Sequence, residues 1–413
     1  MQLLKVDDLE TARKKLQVVL DPLIRRTITL ESEESLGYVV AEDILCQTMI
    51  PQFRRSTVDG YAVIAKNTQG ASDSIPVFLE MIEEIEIGTV PKHFIQDGQC
   101  AYVPTGGMIP DGTDAMVMVE YSEEFMAGQM ALYKAVSEGS NVVAIGEDLA
   151  IGEVVVPRGS KIRGQEIGAM VAAGVSHVEV YQPLRVAIIS TGDELVGPAD
   201  VLPMGKVKDV NTYALAGLAK QLGMEIVSKQ LVLDEETAIR DALETSANLA
   251  DLILISGGSS KGKKDMTEQL IDEVSGNGVF THGLALKPGK PTIIGWGAKT
   301  ETLFLGLPGH PVAAMMVFRL LLEWVQCKGY GSKLPYPVRA TMETNLAGAP
   351  GRETCILVEL LEEKDVQLQA FVARPILGKS GLISNLSRAY GYVKLEKNTE
   401  GIQAGTIVNV WPV

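Results

Sequence analysis

Residues 252–266 read LILISGGSSKGKKDM, an apolar run that passes directly into a glycine-rich segment with three lysines and an aspartate. A short apolar run bounded by turn residues is typical of a buried strand in a parallel sheet. Further runs of this kind, RVAIIS, EIVSKQLVL, TIIGW and TLFLGL, alternate with the helical patterns NTYALAGLAKQLG, ETAIRDALETSA and MTEQLIDEVSG, and HPVAAMMVFRLLLEWV closes the unit. The alternation predicts a doubly wound α/β domain with helices on both faces of the sheet.

Polar residues follow four of the predicted strands at the point where each strand ends. RVAIIS is followed by residues 191–194, TGDE, and the next strand by Asp234. LILIS is followed by the glycine-lysine segment, and TLFLGL by residues 308–311, PGHP. Because ligands bind outside the carboxyl ends of the strands in open α/β sheets, we expect these four segments to form one site at a single edge.

The glycine-lysine segment has the composition of an anion site. Its glycines allow backbone N–H groups to approach a ligand and its lysines add positive charge, and the candidate residues are Gly257, Gly258, Ser260, Lys261, Lys263 and Lys264. A phosphate fits such a segment. The carboxylates of Glu194, Asp234 and Asp265 could hold a magnesium ion against the phosphate oxygens, because hard cations prefer oxygen ligands.

Simpler structural interpretations remain open for the same residues. Asp265 could be the N-cap of the helix MTEQLIDEV, and the lysines could form a solvated hairpin. The segment also lacks the GxxxxGK[ST] spacing of a Walker phosphate loop. His310, between a glycine and a proline, is a candidate catalytic base, but such a histidine more often caps the next helix or packs at a turn.

Four units are expected along the chain. Residues 1–46 and 137–182, which begin with the helical pattern VDDLETARKKLQVVL, are predicted to form an N-terminal helical and β domain. Short alternating segments with proline and glycine turns predict an inserted β module at residues 47–136. The α/β domain takes residues 183–328, and a return to short strands predicts a C-terminal β domain at residues 329–413.

The bulk composition narrows the classes of function. The formal net charge is −15 and the pI is near 4.9, which excludes nucleic-acid binding because that needs a basic surface. No apolar stretch could span a bilayer and the acidic start does not match a secretory signal, so we expect a cytoplasmic protein with no membrane partner. The widely spaced cysteines are expected to pack as small core hydrophobes, and they are Cys46, Cys100, Cys327 and Cys355.

Seven blocks of this sequence resemble, in order, the molybdopterin molybdenumtransferases, the MoeA-like proteins that include the E domain of gephyrin. The blocks are MIPQFRRSTVDGYAV, VPTGGMIPDGTDAMVMVE, GEDLAIGEVVVPRG, STGDEL, SGGSSKGKKD, ALKPGKP and LPGHPVAA. On composition alone, the first two would be tight hairpins. The resemblance runs over the whole chain and ends in GKSGLISNLSRAYGYV, which is similar to the C-terminal β domain of the family.

The resemblance implies a reaction and its cofactors. It implies an enzyme, with a MogA-like central domain, that takes adenylylated molybdopterin, releases AMP and inserts molybdate, using Mg²⁺. It further implies a homodimer whose cleft joins the sheet domain of one subunit to the β module of the other, with an adenylyltransferase and molybdoenzyme acceptors as further partners. The positions that match the functional residues of the family are Asp59, Thr105, Glu194, Asp234, Asp265, Lys287, Lys290, Pro308 and Pro311.

Several positions depart from the family pattern. The resemblance predicts arginines at Val143 and Leu357, a methionine at Val58, an asparagine at His310 and little positive charge at residues 263–264. These departures keep two alternatives open: a catalytically altered paralogue that binds molybdopterin or serves as a scaffold, and an enzyme that inserts tungstate. Retention of the acids favours the enzyme, because gathered carboxylates repel one another unless a cation binds.

Overall fold

The computed structural model describes residues 6–257, 261–362, 371–378 and 384–413, and of residues 261–265 it describes only the backbone. The chain opens with α1, Leu9–Ile24, whose N-cap Asp8 accepts a hydrogen bond from the Thr11 amide at 2.8 Å. Leu9, Ala12 and Leu16 are buried along one face of this helix. Three short strands follow: β1 (Thr27–Glu31), β2 (Ile44–Leu45) and β3 (Arg55–Ser56).

The next unit is a six-stranded β module. Its strands are β4 (Gly60–Val63), β5 (Val77–Glu84), β6 (Gln99–Val103), β7 (Ala115–Met118), β8 (Ser122–Met126) and β9 (Gln129–Leu132). They pair in the order β7-β4-β6-β5-β9-β8, and only β5 and β6 run parallel to each other. Both faces bury apolar side chains, so the module has its own core.

The chain then returns to the N-terminal region and completes it. The returning elements are β10 (Val142–Val143), β11 (Val154–Val156), α2 (Gly164–Ala172) and β12 (His177–Tyr181). Each of these strands pairs antiparallel with a strand from earlier in the sequence, and the pairs are β1-β12, β2-β11 and β3-β10. The β module is therefore an insertion between the two halves of this region.

The α/β domain contains the central sheet. Its elements are β13 (Arg185–Thr191), β14 (Leu195–Val196), β15 (Val207–Lys208), α3 (Asn211–Gln221), β16 (Glu225–Val232), α4 (Glu236–Ala247), β17 (Leu252–Gly257), α5 (Lys261–Ser275), β18 (Val279–His282), β19 (Leu286–Lys287), β20 (Ile293–Gly297), β21 (Thr302–Leu307), α6 (Pro311–Phe318) and α7 (Trp324–Tyr330). A π-helical turn, Arg319–Glu323, joins the last two helices. The sheet order is β16-β13-β17-β21-β20-β18.

Helices cover both faces of this sheet, as the sequence predicts. One face packs against α3, α6 and α1, with Leu215 and Phe318 in its core, and the other packs against α4 and α5. One prediction is wrong in direction: TIIGW, which is β20, runs antiparallel to β21, and the additional strand β18 runs antiparallel to β20. The connection from β20 to β21 is only four residues long, which permits a hairpin, whereas a parallel connection needs a crossover.

The C-terminal domain is a closed β barrel. Its elements are β22 (Val338–Met342), β23 (Leu346–Ala347), β24 (Glu353–Glu362), β25 (Phe371–Pro375), α8 (Ser384–Arg388), β26 (Gly391–Leu395), β27 (Gly401–Ile402) and β28 (Ile407–Pro412). The order β24-β25-β22-β28-β26 closes because β26 also pairs with β24. The strand β19 of the α/β domain extends this sheet at the edge of β24.

The cysteines occupy the interior as expected. Cys46, Cys100 and Cys355 are buried, Cys327 is partly buried, and all four are free thiols. Burial raises the pKa of the Cys100 and Cys355 thiols to about 12 in each case, so both stay protonated and unreactive at neutral pH. Within the described ranges, no helix is both long and apolar enough to cross a membrane.

Candidate functional site

Four strands end at the same level along one edge of the central sheet. β16, β13, β17 and β21 are parallel neighbours, and Thr191 is level with Val232 on one side and Gly257 on the other. Ser256 is in turn level with Leu307 at the end of β21. The structure therefore places at one edge the four polar segments that the sequence assigns to a site.

Carboxylates meet at the ends of β13 and β16. The Thr191 hydroxyl donates a hydrogen bond to Asp234 Oδ1, and the Asp234 amide donates to Asp193 Oδ1 at 3.1 Å. Asp193 was not among the sequence candidates, although it lies within TGDE; only the neighbouring strand reveals its contact with Asp234. Thr191 is buried, Asp234 is partly buried, and Asp193 is exposed.

Glu194 lies at the base of a flap formed by β14 and β15. Its carbonyl oxygen accepts the Val207 amide at 2.9 Å, which ties the flap to the strand end. Its side chain is exposed and folds back over Gly192, where a Cβ would lie only 2.8 Å from Glu194 Oε2. The Lys206 ammonium donates to the Asp193 carbonyl oxygen from the same flap.

The glycine-lysine segment differs from the sequence prediction. Gly257 ends β17 with φ of +142°, and a Cβ there would lie 2.0 Å from the Thr191 carbonyl oxygen. Gly258 and Ser260 lie outside the described residues. The helix α5 begins at Lys261, so residues 261–265 are its first five residues rather than a loop or hairpin, and the N-cap interpretation of Asp265 is wrong. The side chains of these five residues, including Lys263 and Lys264, are not described.

A buried polar cluster lies behind the strand ends, and it was missed in the sequence. Asp209 Oδ1 accepts hydrogen bonds from the Ser190 hydroxyl at 3.0 Å and from the Thr212 amide at 3.1 Å, capping α3. The Asn211 side chain donates to the Gly309 carbonyl oxygen at 2.9 Å, which ties the start of α3 to the start of α6. The available signal was an aspartate two residues before a predicted helix.

Pro308, His310 and Pro311 form the fourth strand end. Pro308 and His310 line a cavity of about 210 Å³ together with Gly257 and Pro291, between β17, β21 and α5. His310 takes the N-cap position of α6, as the helix-capping interpretation expects, but its side chain makes no capping hydrogen bond. Pro311 occupies the first turn, where its missing N–H costs nothing.

Lys287 ends β19 and Lys290 lies on the loop that connects β19 to β20, and both are exposed. Lys287 lines a cavity of about 480 Å³ between this loop, α6 and the barrel. Leu357, a position where the resemblance predicts arginine, is buried in the wall of the same cavity. Lys290 is next to Pro291, which lines the smaller cavity described above. Lys287 therefore lines one cavity, and Lys290 is only the sequence neighbour of a residue that lines the other.

Asp59 and Thr105 come together in the β module. Asp59 Oδ1 accepts the Thr105 amide at 2.7 Å, and the Asp59 carbonyl oxygen accepts the Val119 amide at 2.9 Å. Both residues are exposed. Val143, the other position where the resemblance predicts arginine, pairs with Arg55, four residues before Asp59. Both hydrogen bonds lie within the β module. The predicted site residues therefore form two groups, one in the β module and one in the α/β domain.

The structure describes two of the three carboxylate side chains that the sequence predicts as ligands of a metal ion. Among the described side chains, no group of three or more His, Cys, Asp or Glu residues is arranged to hold a metal. The predicted trio of Glu194, Asp234 and Asp265 includes one side chain outside the described part, so it stays a prediction. Glu194 and Asp234 do supply carboxylate oxygens at adjacent strand ends, which is the chemistry that Mg²⁺ requires.

Three family models match the chain in sequence order. The MoeA N-terminal region (domain I and II) matches residues 8–174, a model described as a probable molybdopterin binding domain matches residues 187–326, and the MoeA C-terminal region (domain IV) matches residues 339–413. The three matches together leave only short segments uncovered.

Relatives and solved structures agree with these models. A molybdopterin biosynthesis protein of Methanocaldococcus jannaschii is 31% identical over 389 residues, covering 92% of this chain and 90% of the relative. The molybdopterin molybdenumtransferase of Haemophilus influenzae is 29% identical over 98% of both chains. A crystal structure of the MoeA protein of Pyrococcus horikosii superposes with a TM-score of 0.84 at 31% identity, covering 99% of each chain. The chain therefore belongs to the MoeA family, the molybdopterin molybdenumtransferases of molybdenum cofactor biosynthesis.

Proposed function

We propose that this protein inserts molybdate into adenylylated molybdopterin in a Mg²⁺-dependent reaction that releases AMP. The observation that carries the proposal is the shared edge where β16, β13, β17 and β21 end. At this edge Asp234 is hydrogen-bonded to Thr191 and Asp193, and Glu194 is the next residue after Asp193. An anionic nucleotide needs donors and a cation here, because the chain as a whole is acidic.

Each residue of this edge has a proposed role. Glu194, Asp234 and Asp265 would hold the ion, which when bound offsets negative charge on the phosphoanhydride oxygens. The Thr191 hydroxyl fixes the Asp234 carboxylate through its hydrogen bond. Lys287, which lines the larger cavity, and Lys290, next to Pro291 of the smaller one, would neutralise negative charge on the ligand. Gly257 would allow its backbone to approach the ligand closely, and Gly258, Ser260 and Lys261 stay predicted residues of the phosphate site.

We propose that the active unit is a homodimer. Asp59 and Thr105 are exposed and bond within their own module, so they are available to complete the site of the other subunit. The division into residues 1–46 with 137–182, 47–136, 183–328 and 329–413 would then separate the cleft-forming units. A cytoplasmic location, an adenylyltransferase that supplies the substrate and molybdoenzymes that accept the product belong to the same proposal.

The main alternative is a paralogue that binds molybdopterin without turnover. Its specific support is Leu357, because an apolar side chain replaces a cation in the cavity that Lys287 lines. A second alternative is insertion of tungstate, since the two oxyanions have nearly equal size and charge.

Turnover of adenylylated molybdopterin by purified protein separates these functions. Magnesium is supplied with either molybdate or tungstate, and AMP and incorporated metal are measured together. We expect AMP release together with molybdenum incorporation, and the ratio of incorporated molybdenum to tungsten settles which oxyanion is preferred. If the native protein and a Leu357→Arg variant both bind the nucleotide tightly but release no AMP, the proposed enzyme activity is contradicted and the protein is a molybdopterin-binding protein.

A further inference from the structure

A separate cavity of about 260 Å³ lies where α1, the π-helical turn and the barrel meet. Its charged and aromatic walls are Arg13, Arg319, Glu323, Trp324, Tyr392, Lys394 and Trp411. The π-helical turn begins eight residues after Pro311, so the cavity lies toward the far end of the helix that starts at the strand ends. None of the residues in the proposed insertion site lines it.

The π-helical turn shapes one wall of this cavity. Arg13 Nε donates a hydrogen bond to the Leu320 carbonyl oxygen at 2.7 Å, within the turn. The Arg13 guanidinium also lies over the Trp324 ring, 5.1 Å from its centroid. The terminal nitrogens of Arg13 make no hydrogen bond to another described residue. Single π-helical turns of this kind recur at functional sites, because they distort the regular helix surface.

Among the described residues, the N–H donors around the cavity are not all satisfied. Arg319 contacts the Glu323 carboxylate at 3.3 Å and Gln221 Oε1 at 3.3 Å, while its buried Nε has no hydrogen-bond partner in the described part of the chain. Lys394 is already shared by two carboxylates, Glu353 and Glu396. Three cations, Arg13, Arg319 and Lys394, line the cavity with Glu323, and Glu353 also interacts electrostatically with Arg13. A buried N–H donor without an acceptor, such as Arg319 Nε, is unfavourable, so this site favours an acceptor from outside, and a carboxylate suits a guanidinium group.

Several groups that line the cavity are shielded from water. Burial raises the pKa of the Glu323 carboxyl, lowers the pKa of the Arg13 guanidinium and raises the pKa of the Tyr392 hydroxyl. Each shift disfavours the charged form of the group, as expected where water is largely excluded. Electrostatic attraction between an arginine and an incoming anion is stronger in such surroundings than at an open surface.

We propose that this cavity binds a small organic carboxylate that carries an apolar ring. The carboxylate pairs with Arg13 and Arg319, and the ring packs among Trp324, Tyr392 and Trp411. The volume is slightly below the range of drug-sized pockets, which suits a one-ring acid. This site is independent of the proposed insertion reaction, because it uses a different part of the fold.

Tryptophan fluorescence provides a direct test. The chain has three tryptophans, of which Trp324 and Trp411 line the cavity and Trp296 lies in β20. Titration with phenylacetate is expected to change the emission, with a Kd at least about tenfold lower than that of the uncharged phenylacetamide. The change should persist in Trp296→Phe and be absent in the Trp324→Phe, Trp411→Phe double variant. Equal affinity for acid and amide would overturn the proposal.

Arginine variants test whether Arg319 binds the carboxylate of the ligand. Arg319→Gln should weaken phenylacetate binding by about tenfold or more, and Arg319→Lys by less, because it keeps the charge but not the planar fork. Arg25→Gln is the matched control: Arg25 ends the same helix as Arg13 but pairs with Asp21 at the surface, and its Kd should not change. An unchanged Kd in Arg319→Gln would contradict the site. If that variant does not fold, the comparison of acid with amide on the native protein decides alone.

Discussion

Residue 257 is a glycine because the adjacent strand leaves no space for a side chain. A Cβ at this position would lie 2.0 Å from the Thr191 carbonyl oxygen, and the φ of +142° disfavours any other residue. We expect Gly257→Ala to destabilise the protein by about 2 kcal/mol and to reduce turnover, because β13 and β17 must separate at the site.

Chemical denaturation of Gly257→Ala and of a control checks this prediction. Gly217→Ala is the matched control, because Gly217 is exposed in α3 and a Cβ there meets nothing within 4 Å. We expect this control to be neutral or to gain about 0.5 kcal/mol. Equal stability of both variants would mean that the backbone at residue 257 relaxes easily.

The acids that could be predicted lie in the turns after apolar runs. Asp234 directly follows an apolar run and Glu194 lies in the turn TGDE after another, so their position near the strand ends could be predicted, whereas Asp193 in the same turn was missed. Asp209 follows a flap with no clear strand pattern, and its contact with Ser190 joins residues 19 positions apart. Such a contact depends on how β13 and α3 pack, which periodicity does not encode.

The start of α3 depends on one buried carboxylate. Asp209 accepts the Thr212 amide and the Ser190 hydroxyl, and the adjacent Asn211 binds the Gly309 carbonyl oxygen. We expect Asp209→Ala to cost about 2 kcal/mol in the free energy of unfolding and to reduce turnover, because it frees the helix end that supports residues 308–311.

An exposed aspartate with a similar backbone bond provides the control for this prediction. Asp200 accepts the Gly197 amide at 2.8 Å within the flap and is exposed. We expect Asp200→Ala to change the free energy of unfolding by less than about 0.5 kcal/mol. If Asp209→Ala were equally mild, the buried cluster would have no structural role.

The elements themselves were predictable where periodicity was strong. The helical pattern ETAIRDALETSA has the bounds of α4, and RVAIIS lies within β13. Periodicity does not encode strand direction, so the antiparallel direction of β20 was not predicted. The early start of α5 was also missed, because a run of glycine, serine and lysine is typical of a loop.

At the scale of the whole molecule, Asp251 joins the N-terminal region to the central sheet. Its carboxylate pairs with Arg185 at 2.9 Å and with Arg26 at 2.7 Å. Burial alone would raise the pKa of Asp251, but the hydrogen bonds from these arginines outweigh it and the pKa is lowered. Because the pKa is lower in the folded state, the ionised carboxylate stabilises the protein above the unfolded value of about 3.9.

We expect Asp251→Asn to lower the free energy of unfolding by about 3 kcal/mol at neutral pH, because the neutral amide removes the negative charge that pairs with Arg26 and Arg185. The difference from the native protein should shrink as the pH falls below about 4, where the native carboxyl becomes protonated. Urea denaturation across this pH range measures it. Glu236→Gln, which breaks an exposed pair with Arg240, should stay within about 0.5 kcal/mol at every pH. A gap for Asp251→Asn that did not depend on pH would contradict this account.

Mixed dimers test whether two subunits share each site. Asp59→Asn and Asp234→Asn should each be inactive alone, but random mixing should restore about one quarter of native turnover, because half of the dimers contain one intact site. A mixture of Asp59→Asn with Thr105→Ala is the control and should stay inactive, since both changes lie in the β module. Inactive Asp59→Asn and Asp234→Asn heterodimers, verified by two affinity tags, would place each site within one subunit.

The sequence predicted four units but not the strand pairing that closes the C-terminal barrel. Short strands after residue 329 indicated a β domain, whereas the pairing of β26 back onto β24 makes it a barrel. The extension of that barrel by β19 likewise joins residues far apart in the chain. Both features follow from the register between distant strands, which local patterns do not specify.

Single-turnover stoichiometry tests the proposed insertion reaction most directly. Purified protein is supplied with adenylylated molybdopterin, Mg²⁺ and molybdate, and released AMP is compared with molybdenum bound to the pterin. We predict equal amounts that rise at the same rate, with both slowed by about a hundredfold or more in Asp234→Asn. Release of AMP without molybdenum incorporation, or an Asp234→Asn variant as fast as the native protein, would contradict the assignment of chemistry to this sheet edge.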